Sequence, residues 1–383
     1  MRYEAISPGF FIRNRENLRG LMKPDSMVIL HANDIYPTNA DGSLPFKQNS
    51  DLFYLTGVDQ EETTLVLMPD AVDPKEREIL FVKETNEQIA IWEGDKLTKE
   101  QARAATGIER IEWSHSFDGF LHRMVPQAGH IYLSTNEHLR ASVVVETRNA
   151  RFIKECQSRY PLHRYERLAP LLHRLRVTKD AEELKMLQRA CDITEAGFRR
   201  LLGFIQPGVG EWEIEAELLH EFRRNGSQYP AYTSIVAAGA NACVLHYRAG
   251  DAELKSGDLC LIDAGCELDG YASDITRTFP ANGKFTPAQR KLYDIVLAAQ
   301  VAAIKVTKPG KRFTDPHDAA TRVLAQGMLD VGLLDKKKHG SADDVLQSGA
   351  YRQFYMHRTG HWMGMDVHDC GDYTEPGSKP REE

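Results

Sequence analysis

The chain has 383 residues, 42% of them hydrophobic, and a formal net charge of −7 at pH 7. This length allows two domains with a sizeable core, whereas the acidic balance without a basic run argues against a nucleic-acid binder. No apolar run approaches the roughly 20 residues that a membrane span needs. The start is not a secretion signal, and the six cysteines form no CxxC pair, which predicts reduced thiols in a cytoplasmic protein.

The N-terminal half alternates short apolar runs with helical segments. The apolar runs at residues 27–31, 64–68, 79–82 and 131–133 have the length of strands. Helices are expected over residues 14–22, where Pro24 closes the segment, near 99–105 and over 145–158. The pattern predicts an α/β domain that ends near residues 174–178.

A new helix starts just after this boundary. Asp180 and Glu183 have the N-cap and N3 spacing of a capping box, with Asp in place of Ser or Thr. Leu184, Leu187 and Ala190 are then spaced for one buried helix face. The pattern predicts a helix that runs toward residue 204.

The second half contains a faint internal repeat. A helix ending before Pro207-Gly208 is followed by another over residues 211–225, and a helix over Pro287–Val306 ending before Pro309-Gly310 is followed by another over 314–331. A Pro-Gly pair after a helix is a strong stop signal. Two helix pairs, each followed by strands, suggest a duplicated α-α-β unit.

Residues 259–280, LCLIDAGCELDGYASDITRTFP, have a hairpin pattern in which two carboxylates stand out, Asp263 and Asp274. One arm is the apolar run that ends on Asp263, and residues 272–279 are expected to form the other arm, with Asp274 near its start. Side chains alternate along a strand, so Asp263 shares a face with Leu259 and Leu261. If the two faces coincide, the like charges need a proton or a cation between them. The pattern alone leaves open that both are edge or turn residues in water.

Residues 354–369, FYMHRTGHWMGMDVHD, hold three histidines within twelve positions. A single histidine is usually structural, but three in an apolar run that contains glycines indicate a site. An imidazole together with carboxylates forms a ligand set for Zn²⁺ or for a harder divalent ion such as Mn²⁺.

These stretches carry a resemblance. DAGCELDGYASDITRTFP together with HRTGHWMGMDVHD resembles the pita-bread metallopeptidases and, within them, the aminopeptidase P group. CVLHY at residues 243–247, YPAYTSIVAAGANA from Tyr229, and FKQNSDLFYLTG at 46–57 resemble further motifs of that group. The resemblance implies an α+β protein with a creatinase-type α/β domain at 1–176 and a pita-bread catalytic domain at 177–383. An aromatic residue of the first domain can reach a neighbouring subunit's site in that family, and Trp92 is the candidate here.

The resemblance also implies a dinuclear metal site. Asp263 matches the residue that chelates one metal, Asp274 matches the residue that bridges both, and His361 matches the ligand of the other. Two divalent ions, expected to be Mn²⁺, would lower the pKa of a bridging water.

Three further histidines match residues of the family that act on substrate. His246 matches the one that contacts substrate and stabilises the oxyanion. His357 matches the histidine that lines the proline pocket, and His368 the one near the tetrahedral intermediate. The implied substrate is a peptide with proline second, cut at its N-terminal side. No nucleic-acid or membrane partner is expected, and the family suggests a homo-oligomer, either dimer or tetramer.

One departure from the family pattern concerns two glutamates that complete its five-ligand set. Glu375 lies closer to His361 than the family's first glutamate ligand does, and Glu382 and Glu383 have no strand pattern around them. The chain as written is therefore expected to stop before the last strands, as a truncated product, a frameshifted sequence or a partial record. With three ligands of five, this polypeptide is expected to be weakly active at best.

Three functions remain open at this point. The first is an Xaa-Pro aminopeptidase, which the FKQNSDLFYLTG stretch favours. The second is a prolidase-like enzyme of the same fold that cleaves only dipeptides. The third is a non-catalytic pita-bread protein that binds a peptide or a partner; the presence of Asp263, Asp274 and His361 argues against it.

Overall fold

The computed structural model describes residues 6–138, 140–141 and 144–373. It divides into two compact units, each with contributions from separate parts of the chain. The first comprises Met1–Gln188, Asp269–Tyr271 and Gly364–Asp366, and the second comprises Arg189–Leu268, Ala272–Met363 and Val367–Glu383. The mixed α and β content agrees with the predicted α+β class.

The first unit is built on a six-stranded mixed sheet in the order β4-β3-β2-β1-β5-β6. Neighbours β1–β2 and β2–β3 are antiparallel, and β1–β5, β3–β4 and β5–β6 are parallel. The strands are β1 Ser26–His31, β2 Thr64–Leu67, β3 Glu78–Val82, β4 Arg110–Trp113, β5 His130–Leu133 and β6 Arg164–Arg167. Its helices are α1 Pro8–Arg19, α2 Ser50–Thr56, α3 Glu87–Glu93, α4 Lys99–Thr106, α5 Phe117–Met124, α6 Arg148–Arg159 and α7 Ala169–Arg176.

The four strands predicted for this unit are confirmed as β1, β2, β3 and β5. Their apolar residues are buried, which is why the apolar runs predicted them. All six residues of β1 are buried, as are all four of β2. Strands β4 and β6 were not predicted, since each carries charged residues and is only partly buried. Helix α1 begins at Pro8, earlier than predicted, because the Ser7 hydroxyl caps it and proline suits the first turn. Trp92, in α3, is 83% exposed, and its role stays a prediction.

Two short segments from the second half of the chain belong to the first unit. Tyr271 is 1% exposed and donates its hydroxyl to Glu183 Oε1 at 3.1 Å. Met365 is buried in the core that also contains α1 and α2 residues. Gly270, at φ +79°, lies where a Cβ would come within 3.1 Å of the Phe53 ring, so this close approach requires glycine.

Arg176 holds the second of these segments. Its side chain is 4% exposed and donates to Asp51 Oδ1 at 2.6 Å and to Asp366 Oδ2 at 2.7 Å. The Ser50 hydroxyl donates to the other oxygen of Asp366 at 2.8 Å. Ser50 and Asp51 open α2, so the NSDLFYLTG stretch supplies one group that binds Asp366 and one that binds its partner Arg176.

The second unit carries the predicted helix pairs and a set of short strands. Its helices are α8 Ala181–Leu202, which begins in the first unit, α9 Glu211–Arg224, α10 Pro287–Val306, α11 Asp315–Asp330, α12 Lys336–His339 and α13 Ala342–Ser348. Its strands are β7 Tyr229–Pro230, β8 Ile235–Ala238, β9 Leu259–Ala264, β10 Cys266–Leu268, β11 Tyr271–Ala272, which spans the division, and β12 Ile275–Pro280. The capping box before α8 is confirmed: Asp180 N donates to Glu183 Oε2, and Glu183 N donates to Asp180 Oδ1.

The predicted hairpin is confirmed, but each of its arms is interrupted. Residues 272–279 were expected to form one strand, and instead Ser273 and Asp274 separate β11 from β12. Strand β9 pairs antiparallel with β12 on one side and with β8 on the other. Asp263 lies opposite Thr276 in β12 and opposite Ile235 in β8.

Two predictions from the sequence concern the cysteines, expected to be reduced thiols, and the lack of a run long enough to span a membrane. All six cysteines are free thiols. Among the described residues, no helix combines the length and the apolar character that crossing a membrane requires.

Helix α10 is apolar on two sides. Ala299 and Ala303 are buried on one side, whereas Leu297, Val301 and Ile304 follow an i, i+4, i+7 stripe and are 44%, 55% and 65% exposed. We call these three residues the α10 stripe. A contiguous exposed apolar stripe favours association with another apolar surface.

We expect the 383-residue polypeptide to self-associate through the α10 stripe. Substituting Val301 by Glu should shift the sedimentation distribution toward monomer at micromolar concentration, because it places a charge in the centre of the stripe. Gln300→Glu is the matched control, since it adds one negative charge to an exposed neighbour outside the stripe. Equal sedimentation of the two variants would contradict the expectation.

Candidate metal centre

Asp263 is positioned by the alternation of buried and half-buried side chains along β9. Cys260, Ile262 and Ala264 are fully buried on one face, and Asp263 lies on the opposite, half-buried face. The sequence predicted this placement, and the structure confirms it.

Asp274 is brought beside Asp263 by a close approach of the two arms. A Cβ on Gly265 would lie 1.6 Å from the Ser273 carbonyl oxygen, so no other residue fits there. Ser273 is itself fully buried, and its hydroxyl lies 2.7 Å from Thr194 Oγ1 of α8. Cys266 N donates to both hydroxyl oxygens at 3.0 Å. These contacts hold the interruption between β11 and β12 against α8, and Asp274 follows it directly.

Tyr232 joins the two carboxylates, and the sequence did not single it out. Its hydroxyl contacts Asp263 Oδ1, and it lies 2.9 Å from Asp274 Oδ1. Tyr232 precedes β8, the neighbour of β9, by three residues. The sequence signal for Tyr232 is its place in the YPAYTSIV run, which resembles a family motif but indicates no role for this residue.

The two carboxylates differ in their readiness to ionise. Burial raises the pKa of Asp263, and the neighbouring Asp274 charge raises this pKa further. Burial also disfavours the charged form of Asp274, but hydrogen bonds from His361 and Tyr232 outweigh it and hold its pKa below the usual value. The two carboxylates therefore differ in pKa, and a cation between them would relieve their repulsion.

His361 faces Asp274 through one ring nitrogen and the backbone through the other. Nε2 lies 3.0 Å from Asp274 Oδ2, and Nδ1 lies 2.8 Å from the Trp362 carbonyl oxygen. A carbonyl only accepts, so Nδ1 carries a proton. Nε2, which lies against Asp274, would become a metal ligand on loss of its own proton. His368 packs edge-on against His361, with ring centroids 4.2 Å apart.

The other two predicted histidines lie at exposed positions. His357 is exposed, and its Nδ1 lies 2.8 Å from the Arg358 carbonyl oxygen. His246 is exposed in the turn after residues 239–243. In the described part of the chain, no hydrogen bond or ion pair joins either histidine to Asp263 or Asp274. Glu375, Glu382 and Glu383 lie outside the described residues.

The donor set fits a divalent cation in part. Asp263, Asp274 and His361 offer carboxylate oxygens and an imidazole nitrogen, which suit Mn²⁺ or Zn²⁺. Ligands at right angles, about 2.1 Å from an ion, lie about 3 Å apart, and His361 Nε2 and Asp274 Oδ2 are 3.0 Å apart. Within residues 6–138, 140–141 and 144–373, however, no three His, Cys, Asp or Glu side chains are grouped so that they could hold a metal ion. Asp263, Asp274 and His361 therefore form only part of the set of ligands that a metal ion needs.

Comparison with known families decides the class of protein. The model of metallopeptidase family M24 matches residues 185–382, and the model of the aminopeptidase P N-terminal domain matches residues 11–132. The first match covers more than half of the chain. The chain belongs to metallopeptidase family M24. It is therefore an enzyme and a hydrolase, as predicted.

Individual relatives place the chain within this family. It is 36% identical to the Xaa-Pro aminopeptidase of Escherichia coli (strain K12) over 98% of the chain and 84% of the relative. The structure of Pseudomonas aeruginosa aminopeptidase PepP superposes with a TM-score of 0.89 at 37% identity, covering 99% of this chain and 85% of that one. Zn-substituted E. coli aminopeptidase P in complex with product superposes with a TM-score of 0.85 at 35% identity, with the same coverage. The resemblance to aminopeptidase P and the predicted fold class are confirmed.

Proposed function

We propose that this M24 enzyme removes the first residue from peptides that have proline in second position. The contact chain Asp263–Tyr232–Asp274–His361 supports the proposal, because it links the two carboxylates and the imidazole for which we propose metal binding. The E. coli relative, which aligns over nearly the whole chain, is an Xaa-Pro aminopeptidase. An Xaa-Pro bond resists most peptidases because its amide lacks an N–H and the ring restricts φ.

The proposed metal ligands in this chain are Asp263, Asp274 and His361, and we propose two divalent ions, with Mn²⁺ as the preferred metal. When bound, the ions supply a hydroxide at neutral pH and polarise the scissile carbonyl. The Trp362 carbonyl keeps a proton of His361 on Nδ1, so Nε2, which lies beside Asp274, is the nitrogen that would bind a metal. The Tyr232 hydroxyl lies against both carboxylates and holds them together.

The remaining predicted histidines are proposed to act on the peptide. His246 would contact the substrate and stabilise the oxyanion, His357 would line the proline pocket, and His368, which packs on His361, would face the tetrahedral intermediate. We further propose the domain limits 1–176 and 177–383, a cytoplasmic location, and a homodimer or homotetramer.

The proposed function is tested with matched peptides. The purified polypeptide, with Mn²⁺, should release the first residue of an Xaa-Pro-Xaa tripeptide faster than it cleaves an Xaa-Pro dipeptide or an Xaa-Ala-Xaa tripeptide, as measured by mass spectrometry. EDTA should stop the release. Preference for the dipeptide would instead support a prolidase-like enzyme. Tight binding of the tripeptide without any cleavage would support a non-catalytic binding protein.

A further inference from the structure

Glu211 is a buried carboxylate outside the proposed metal centre. It is the first residue of α9 and has no solvent-exposed surface. A buried charge is costly unless it is hydrogen-bonded on all sides. Its hydrogen-bond partners must therefore offset the cost of burying the Glu211 charge.

Four donors converge on Glu211. Oε1 accepts hydrogen bonds from Ala238 N at 2.7 Å and from Asn241 Nδ2 at 2.9 Å. Oε2 accepts from the Tyr247 hydroxyl at 2.8 Å and from Gly250 N at 2.9 Å. Burial alone would raise the pKa of Glu211, but these hydrogen bonds outweigh it and lower the pKa, so the charged form is the stable one near neutral pH.

The four donors bracket a single segment, residues 238–250. Ala238 ends β8, Asn241 lies in the helical turn that follows, and Tyr247 and Gly250 lie at the far end of the segment. Asn241 also donates to the Tyr247 hydroxyl at 2.9 Å, which links the two ends directly. Glu211 therefore closes residues 238–250 into a loop, which we call the Glu211 loop.

The Glu211 loop carries His246 on its exposed side. His246 directly precedes Tyr247, whose hydroxyl is held by Glu211 and Asn241. The imidazole itself makes no hydrogen bond with any residue in the described part of the chain, so its position depends on the backbone of the loop. The other end of the loop continues into β8, which pairs with the strand that carries Asp263.

We propose that Glu211 is a positioning residue that holds the Glu211 loop so that His246 is presented to the peptide substrate. The loop-closing part of this inference stands on the four hydrogen bonds, and the presentation of His246 to a peptide rests on the proposed function. Glutamine cannot replace Glu211, since its amide nitrogen would face the donor Gly250 N or Ala238 N. A displacement of about 1 Å in a group that contacts substrate can cost about 100-fold in rate.

The test compares Glu211→Gln with Glu213→Ala. Both residues lie in the first turn of α9, but Glu213 is exposed and accepts from Gly210 N in a capping box. Hydrogen exchange at Ala238 N and Gly250 N should accelerate at least about 10-fold in Glu211→Gln and should not change in Glu213→Ala. Affinity for the Xaa-Pro-Xaa tripeptide and kcat/KM should fall between about 10-fold and 100-fold in Glu211→Gln alone.

A double variant separates positioning from general stability. If Glu211 acts through His246, Glu211→Gln should cause almost no further loss of affinity or kcat/KM in a His246→Ala background. Tyr247→Phe removes one donor and leaves the carboxylate, so it should give a smaller effect of the same kind if Glu211→Gln fails to fold. Equal losses in both backgrounds, or unchanged exchange in Glu211→Gln and Tyr247→Phe, would overturn the inference.

The outcomes distinguish this inference from the proposed function. If the unsubstituted polypeptide binds and cleaves the tripeptide and Glu211→Gln does so equally well, the inference fails and the function stands. If the unsubstituted polypeptide neither binds nor cleaves it, the function fails, the presentation of His246 to a peptide is overturned with it, and hydrogen exchange still decides whether Glu211 closes the loop.

Discussion

Substituting Asp274 by Asn should lower the affinity of the polypeptide for Mn²⁺ by at least about 100-fold and remove Mn²⁺-dependent peptide cleavage. Asp274 contacts His361 directly and is linked to Asp263 through the Tyr232 hydroxyl, so it connects the two other candidate ligands. Asparagine keeps the shape but removes the negative charge that holds a dication. Loss of a group that only supports a ligand costs about 10-fold to 100-fold in metal affinity, and loss of a ligand should cost more.

Titration calorimetry with Mn²⁺ measures this effect directly and needs no activity. Asp294→Asn is the matched control, because it removes one carboxylate from the exposed surface of α10 and leaves the candidate centre unchanged. Asp263→Asn should resemble Asp274→Asn in the same titration. Unaltered Mn²⁺ affinity in both variants of the centre would exclude these residues as ligands.

Substituting Arg176 by Ala should lower the free energy of unfolding by about 3 kcal/mol. Arg176 is 4% exposed, and its loss leaves Asp51, whose side chain is 13% exposed, without its cation. The partner Asp366 is 46% exposed, and solvent screens that pair, so the lower end of the range for buried pairs applies. The change also removes one of the contacts that hold residues 364–366, which lie between His361 and His368 in the chain.

The urea-unfolding midpoint measures this loss, with Arg174→Ala as the control. Arg174 lies two residues earlier in the same helix and is exposed, so its loss should change stability by less than about 0.5 kcal/mol. Equal midpoints for the two variants would show that Arg176 contributes no more than a surface arginine.

The effect of Arg176→Ala should depend on pH with a defined sign. Burial alone would raise the pKa of Asp366, but the Arg176 charge and hydrogen bonds from Arg176 and Ser50 outweigh it and hold the pKa below its ordinary value. The stabilisation is thus fully present above the unfolded pKa of about 3.9 and is lost as the pH falls through the lower, folded value. The difference between the unsubstituted chain and Arg176→Ala should shrink on acidification below about pH 4.

The features that the sequence predicted correctly depend on residues close together in the chain. Helix α10 has the predicted limits because Thr286 and Gln289 form a capping box around Pro287. Asp263 could be placed on the half-buried face of its strand because side chains alternate with a period of two. The metal-binding character of Asp263, Asp274 and His361 was predicted from motifs that a family shares along the chain.

The elements that the sequence did not predict depend on residues far apart in the chain. Tyr232 is 31 and 42 residues from the carboxylates that it joins, and no local pattern marks it. The close approach of Gly265 to Ser273 interrupts the expected second strand and sets Asp274 beside Asp263.

By itself, the sequence determined the family and most of the regular elements, because periodicity, caps and family motifs act over a few residues; the three candidate metal ligands stay a prediction. Only the tertiary structure decided that Tyr232 joins the carboxylates, that Arg176 holds Asp366 across 190 residues, and that Glu211 closes the loop of His246. The physical reason is that a buried charge or hydroxyl must find its partner wherever the fold brings one within about 3 Å. That partner is set by packing, and local sequence does not encode it.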